Sequence, residues 1–373
     1  MPRYREVYIE QAKALADSGS ETIEIATADP ISELLVKFYA TNGATSNKAA
    51  PIPLVVTKIE VFDGSDKLYS CDGEVAAALV RYHNDAQPHL TINEAGNYIQ
   101  SSHFAIRFGR WLWDPVFALV PQAFRNLQLK VSWNLAEVRA VGATGYATGT
   151  GRLTVIAKVM EGLEAPPSGF LMQKEHYTFT SAASGDERIS LPTDHPYVSL
   201  LVRAYEAGVD MTASLTNFKL SLDHDKAIPF DHLEGDFRGQ MENMFGEYEL
   251  PIFCLSDDAE AHESWLGVPS AATVTPQTAS RIVAVTALSG GRYTMSQVTD
   301  AGVAANALNS FVKIFGQCLF NCWYYRFGTL DDPSTWLMAP SIGDIKLMLT
   351  QGNAGAAVSV VLTQARSYAA AAA

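Results

Sequence analysis

The chain repeats itself, and the repeat limits what it can fold into. SELLVKFYATNG from Ser32 resembles VSLLVRAYEAG from Val198, and each follows a proline turn, Asp29-Pro30 in one copy and His195-Pro196 in the other. Leu34-Leu35-Val36-Lys37 matches Leu200-Leu201-Val202-Arg203 at an offset of 166 residues, and TKIEVFDGSDK from Thr57 matches TNFKLSLDHDK from Thr216 at 159. Arg107-Phe108-Gly109 then pairs with Arg326-Phe327-Gly328 at 219, and Asp114-Pro115 with Asp332-Pro333 at 218. A glycine-led segment follows in each copy, 151–159 and 355–362. Three matches in one order, one of them with identical Arg-Phe-Gly and Asp-Pro, indicate a duplicated domain. The offset falls by 7, so the first loop is shorter in the second copy; it then rises by 60, which places an insertion at roughly 251–310. That insertion is rich in Ala, Thr, Ser and Gly and reads as an elaborated surface loop with some structure of its own. The expected domains are 20–165 and 170–368, joined near Glu164-Ala165-Pro166-Pro167, and 373 residues suit two domains of roughly 100–200 each.

Within each copy the apolar residues favour strands. Stretches such as Glu33–Ala40, Leu127–Trp133, Val198–Tyr205 and Ile345–Leu349 are rich in Val, Ile, Phe, Tyr and Leu and are separated by Gly, Pro, Asn and Asp. Helical spacing is confined to Glu74–His83, Leu233–Phe245, Val303–Ile314 and an N-terminal segment, 3–18, where Tyr4, Tyr8, Ala12 and Leu15 fall on one face. The first 19 residues are therefore expected to form a helical arm outside both cores. The fold class is all-β: two tandem eight-stranded sandwiches with a short N-terminal helix and a few loop helices.

Charge excludes one class of function. With 27 Lys+Arg against 40 Asp+Glu the net charge is −13, and no Lys/Arg run occurs, so no direct nucleic-acid binding is expected. The N-terminus has no apolar signal segment, and no apolar stretch reaches ~18 residues, so the chain is expected to mature in a cytoplasm. Four cysteines are too few for a disulfide scaffold; Cys318 and Cys322 read as buried thiols.

No catalytic constellation emerges: GxSxG, HExxH, the P-loop pattern and CxxC are all absent. The Gly-rich stretch 142–151 leads into a strand and lacks the helix N-terminus that binds phosphate. Among the eight histidines there is no His-x-His, which argues against a metal-binding bicupin. The densest titratable cluster, Asp223, His224, Asp225, Asp231, His232 and Glu234, reads as a turn followed by a helix cap at Asp231. Asp223, Asp225 and His232 are the weak candidates for a metal; no cofactor and no catalytic residue is expected. The recurring Arg107, Gly109, Asp114 and Pro115, with Arg326, Gly328, Asp332 and Pro333, read as structural corners, because a duplicated active site rarely survives in both copies.

The repeat, with DPISELLVKFYATNGATSNKAAPIPLVVTKIEVFDGSDKLYS and IRFGRWLWDP, resembles the double-jelly-roll major capsid proteins of tailless icosahedral viruses, in the bacteriophage branch of the adenovirus hexon-like lineage. One departure is Arg110-Trp111-Leu112-Trp113 in the first copy against Thr329-Leu330-Asp331 in the second. The resemblance implies a homotrimeric capsomer of pseudo-hexagonal outline, built into an icosahedral shell in a virion assembled in the host cytoplasm. It implies contacts with neighbouring capsomers, with vertex (penton) and minor capsid proteins, and in members that enclose one, with an internal lipid membrane. Both rolls would stand upright, with the insertion outward and the arm beneath, Tyr4, Tyr8 and Leu15 anchoring a neighbour. The alternative is a carbohydrate-binding or glycan-processing double jelly roll, which calls for acids and aromatics gathered in a cleft.

Overall fold

Leu127–Asn134 reads LQLKVSWN, and its buried residues are Leu127, Leu129, Val131 and Trp133: every second side chain, one face of a strand. The same two-residue period recurs through a computed structural model that describes residues 2–43, 50–93, 96–139, 145–256, 262–276, 281–289, 292–299 and 308–368. Sixteen strands make two sandwiches. In the first they are β1 (Arg3–Ala14), β2 (Ser18–Glu24), β3 (Ile31–Thr41), β4 (Val56–Asp63), β5 (Asp66–Cys71), β6 (Ile99–Arg107), β7 (Leu127–Asn134) and β8 (Arg152–Glu161). In the second they are β9 (Gly169–Thr180), β10 (Gly185–Ser190), β11 (Tyr197–Tyr205), β12 (Leu215–Leu222), β13 (Ala227–Leu233), β14 (Cys322–Arg326), β15 (Ile345–Gln351) and β16 (Ala357–Ser367).

The sheets run β1-β8-β3-β6 and β2-β7-β4-β5 in the first roll, β9-β16-β11-β14 and β10-β15-β12-β13 in the second. All of these neighbours are antiparallel. This is the eight-stranded jelly roll, twice. A parallel pairing joins the sheets of the two rolls: β5 lies beside β9, with Tyr69 opposite Gln173 and Ser70 opposite Lys174, so two four-stranded sheets continue as one of eight.

The two rolls are equivalent strand by strand. Glu33 stands opposite Arg107, and 166 residues on, Ser199 stands opposite Arg326. Ile59 pairs with Val131 where Phe218 pairs with Leu349, and Ile23 pairs with Leu129 where Ile189 pairs with Leu347. Side-chain period fixes register, since a slip of one residue would turn every apolar side chain outward. The short helices follow suit: α1 (Ile52–Val55) and α3 (Met211–Ser214) precede β4 and β12, and α2 (Gly73–Tyr82) and α4 (Glu234–Phe245) follow β5 and β13. Asp72 caps α2 by accepting from the Val75 amide at 2.7 Å.

Three expectations need correction. Residues 3–14 are not a helical arm; they form β1, paired with β8 from Arg3–Glu161 to Ala14–Arg152. The apparent helical spacing arises because β1 is an edge strand with two register shifts and a positive φ at Ala12, which break the two-residue period. Of the helix expected at Val303–Ile314, residues 303–307 lie outside the described residues, and Leu308–Gln317 is a strand, with Val312 and Ile314 buried between half-buried neighbours. Asp231 caps nothing: it lies within β13, and its carboxylate accepts from the Asn217 amide at 3.0 Å. The segment read as the insertion carries strands. Strands Tyr248–Ser256, Val268–Pro276 and Leu308–Gln317 form a sheet with Ile92–Asn93 of the first roll, and Tyr248, Leu250 and Ile252 join the main core. His262–Trp265, Arg281–Ser289 and Arg292–Thr299 make a separate three-stranded sheet. Of the stretch 142–151, residues 142–144 lie outside the described residues, as does the terminal 369–373. Among the described residues no helix is long and apolar enough to cross a membrane.

Candidate functional site

The two Arg-Phe-Gly corners hold equivalent positions and use them differently. Arg107 lies across from Glu33, which is almost fully buried. Its Nε and Nη2 donate to Glu33 Oε2 at 3.3 and 3.1 Å, and Lys158 approaches the other oxygen at 2.8 Å. The arginine therefore balances a buried carboxylate within its own roll. Arg326 faces Ser199 instead, and among the described residues it has no acid to balance. Its Nη2 reaches into the first roll and donates to the Tyr82 carbonyl at 2.8 Å, at the C-terminal end of α2, where a cation suits the helix dipole.

Asp114 is fully buried and pairs with Arg110, not with Arg107. Its two oxygens accept from Arg110 Nε at 2.7 Å, Arg110 Nη2 at 3.0 Å, the Arg110 amide at 3.1 Å and the Val116 amide at 2.9 Å. Asp332 is exposed and makes a tight turn, accepting from the Ser334 amide at 3.0 Å and hydroxyl at 2.7 Å; these bonds hold its carboxyl below the usual range. Gly328 sits at φ +67°, and a Cβ there would run into Thr335. The corners touch: Arg110 Nη1 donates to the Asp331 carbonyl at 3.1 Å, and the Phe117 and Trp336 rings lie 5.6 Å apart. The structure brings the two motifs together at the seam between the rolls.

That seam holds the densest polar chemistry. Glu74, buried on the first turn of α2, is bound by Arg139 at 2.5 Å and by Arg203 of the second roll, which also reaches Asp72 at 3.5 Å. Burial alone would raise the Glu74 carboxyl; the two guanidinium groups outweigh it and hold it low. Lys58–Glu175 at 2.8 Å and Asp66–Arg366 at 2.6 Å are further ion pairs across the seam. A groove of about 490 Å³ opens here, lined by Asp72, Glu175, Phe179 and Arg203, and both of its acids are engaged in those pairs.

His83 closes α2 and meets the Tyr324 hydroxyl of the second roll at 3.2 Å. Burial, then the charges of Arg326 and Arg107, hold its pKa at about 3. The folded state keeps this imidazole neutral, whereas the unfolded chain takes up a proton below about 6.5. Its contribution is complete above that pH and is lost progressively as pH falls toward 3. Urea unfolding should find the protein about 2 kcal/mol less stable at pH 5 than at pH 7 on this account, with His83→Phe flattening the slope by that amount. An unchanged slope in the variant would assign the acid sensitivity elsewhere.

The other candidates do not converge. Leu15 is a core residue, while Tyr4 and Tyr8 are more than half exposed on β1, with the Tyr4 ring 4.9 Å from Trp113. Asp223, His224 and Asp225 form a turn with three consecutive positive φ angles. Asp223 accepts from the Gly343 and Asp344 amides at 2.9 and 3.0 Å, Asp225 pairs with Lys219 at 3.1 Å, and His232 stacks beside Phe230. Among the described residues no group of three His, Cys, Asp or Glu is placed to hold a metal. Cys71, Cys318 and Cys322 are buried free thiols, pushed up by desolvation.

No protein-family model matches the sequence, and no curated protein resembles it in sequence. Solved structures do resemble it in three dimensions. A chain of the PBCV-1 virus capsid matches with a TM-score of 0.59 at 11% identity, covering 98% of this chain and 94% of that one. The STIV MCP matches at 0.55 and 13% identity, over 98% and 97%. The major capsid protein of bacteriophage PM2 matches at 0.53 and 10% identity, over 98% of both. Likeness along the full length at so low an identity is a likeness of fold: this chain has the double-jelly-roll fold of these viral major capsid proteins.

Proposed function

We propose that the chain is a structural virion protein, the major capsid protein of a tailless icosahedral virus, and acts as a tile of the shell and not as an enzyme. The observation that carries this reading is the joint between two equivalent rolls, made edge to edge by sheet pairing and locked by buried ion pairs. Such a subunit is a third of a hexagon: three copies present six similar rolls around a ring, an outline that packs into flat lattices. The acids lining the groove between the rolls are held by Lys58 and Arg203, which suits a seam better than a glycan-processing cleft. In this reading the partners are first further copies of the chain, then neighbouring capsomers, with vertex and minor capsid proteins and an underlying lipid membrane as later contacts. The location is the virion, after assembly in the host cytoplasm.

Light scattering on the purified protein tests the reading. The expected mass is three times the 40.5 kDa of one chain. A single-chain mass at every concentration would contradict it and favour the glycan-processing alternative.

A further inference from the structure

The chain uses one kind of joint once and leaves its counterpart open. The strand equivalent to β9 is β1, and the strand equivalent to β5 is β13. Both β1 and β13 are sheet edges with no partner on their outer side among the described residues. In the second roll the first half of β9 is covered by the seam: Gly169, Phe170, Leu171, Met172 and Gln173 are all buried. In the first roll the residues equivalent to Phe170–Gln173, namely Arg3, Tyr4, Arg5 and Glu6, are exposed, and Tyr4, which corresponds to the buried Leu171, is 52% exposed. On β13, Ile228 and Leu233 are 44% and 63% exposed. An uncovered strand edge carrying large apolar side chains is a template for pairing with another chain.

We propose that β13 of one chain pairs in parallel with β1 of a second copy, repeating between subunits the β5–β9 joint within the chain. The register follows from the ladders. Thr363 and Leu362 of β16 lie opposite Ser199 and Leu200, as Lys158 and Ala157 of β8 lie opposite Glu33 and Leu34. On their other side Gln173 and Lys174 pair with Thr363 and Leu362, as Glu6 and Val7 pair with Lys158 and Ala157. Tyr69 and Ser70 pair with Val61 and Glu60 in β4, as Phe230 and Asp231 pair with Leu220 and Lys219 in β12. Tyr69 lies beside Gln173 and Ser70 beside Lys174, so Phe230 lies beside Glu6 and Asp231 beside Val7 of the next copy. The joint is head to tail, each copy giving one edge and receiving another, and such joints form closed rings when the rotation closes. In a trimer such a ring holds six rolls. This rests on the trimeric reading above and adds to it the surface that makes the trimer.

Cross-linking tests it. Val7 is half-buried and Asp231 is exposed. Neighbouring strands lie about 4.8 Å apart, inside the roughly 4.4–6.8 Å span of Cα atoms that a disulfide bridges. The double variant Val7→Cys, Asp231→Cys, oxidised with glutathione disulfide, should run as two- and three-chain species on a non-reducing gel and collapse to one chain on reduction. Co-expressed Val7→Cys and Asp231→Cys single variants should link into two-chain species only, and either single variant alone should give none at this joint. A protein that scatters as a trimer but fails to cross-link in both formats overturns this interface while leaving the capsomer reading in place. A protein that scatters as a single chain overturns both.

Discussion

Deleting residues 1–17 should abolish independent folding of the first roll. β1 pairs along β8 from Arg3 to Ala14, the Leu15 amide donates to the Gly151 carbonyl at 3.0 Å, and the Leu15 side chain is buried in the main core. Val7 and Ile9 pack on that core from β1. Losing Leu15 alone, as in Leu15→Ala, is expected to cost about 2–5 kcal/mol. The deletion adds the loss of a whole strand and bares the edge of β8, a sum comparable to the total stability of a domain, about 5–15 kcal/mol. The deleted chain should be recovered in the insoluble fraction, or should lose part of its cooperative melt, while Leu15→Ala melts early but cooperatively. A deleted chain that melts like the intact protein and fails only in particle assembly would make residues 3–14 an appendage.

The second large effect is expected at Glu74. Its carboxylate is the common partner of two buried arginines from different parts of the chain, and Glu74→Ala leaves both cations facing each other out of water. Breaking a buried pair in this way costs about 3–5 kcal/mol. The molecule supplies its own control: Lys313–Glu249, at 2.5 Å, joins side chains that are 45% and 43% exposed, and Lys313→Ala should cost no more than about 1 kcal/mol. Urea unfolding of both variants measures the contrast. Equal, small losses would mean that the seam is not held by this cluster.

The duplication was legible because register is written into side-chain period. Matching Leu34-Leu35-Val36 to Leu200-Leu201-Val202 fixes which residues face the core, and Glu33–Arg107 and Ser199–Arg326 fall into equivalent positions as a consequence. The N-terminal strand was not legible as a strand, because an edge strand with bulges shows no clean alternation. Its signal lay in the repeat: carried back to residue 3, the offset of 166 lays Arg3–Ala14 on the strand Gly169–Thr180. The strand inside the insertion was hidden by the Ala-rich run before it. The seam cluster had no local signal at all. Glu74 and Arg203 are 129 residues apart and meet only because two rolls dock, so neither residue's neighbours in sequence could announce the pair. The corners stand between these cases. Their recurrence was readable, whereas the partners of Asp114 and Arg326 depend on which roll lies opposite.

Electron microscopy of the purified, negatively stained protein tests most directly that this chain is a shell tile built from two equivalent rolls. Class averages should show flat particles of six similar lobes with a near-hexagonal outline, one pair of lobes per chain. Isolated two-lobed particles, persisting as the protein is concentrated, would contradict it.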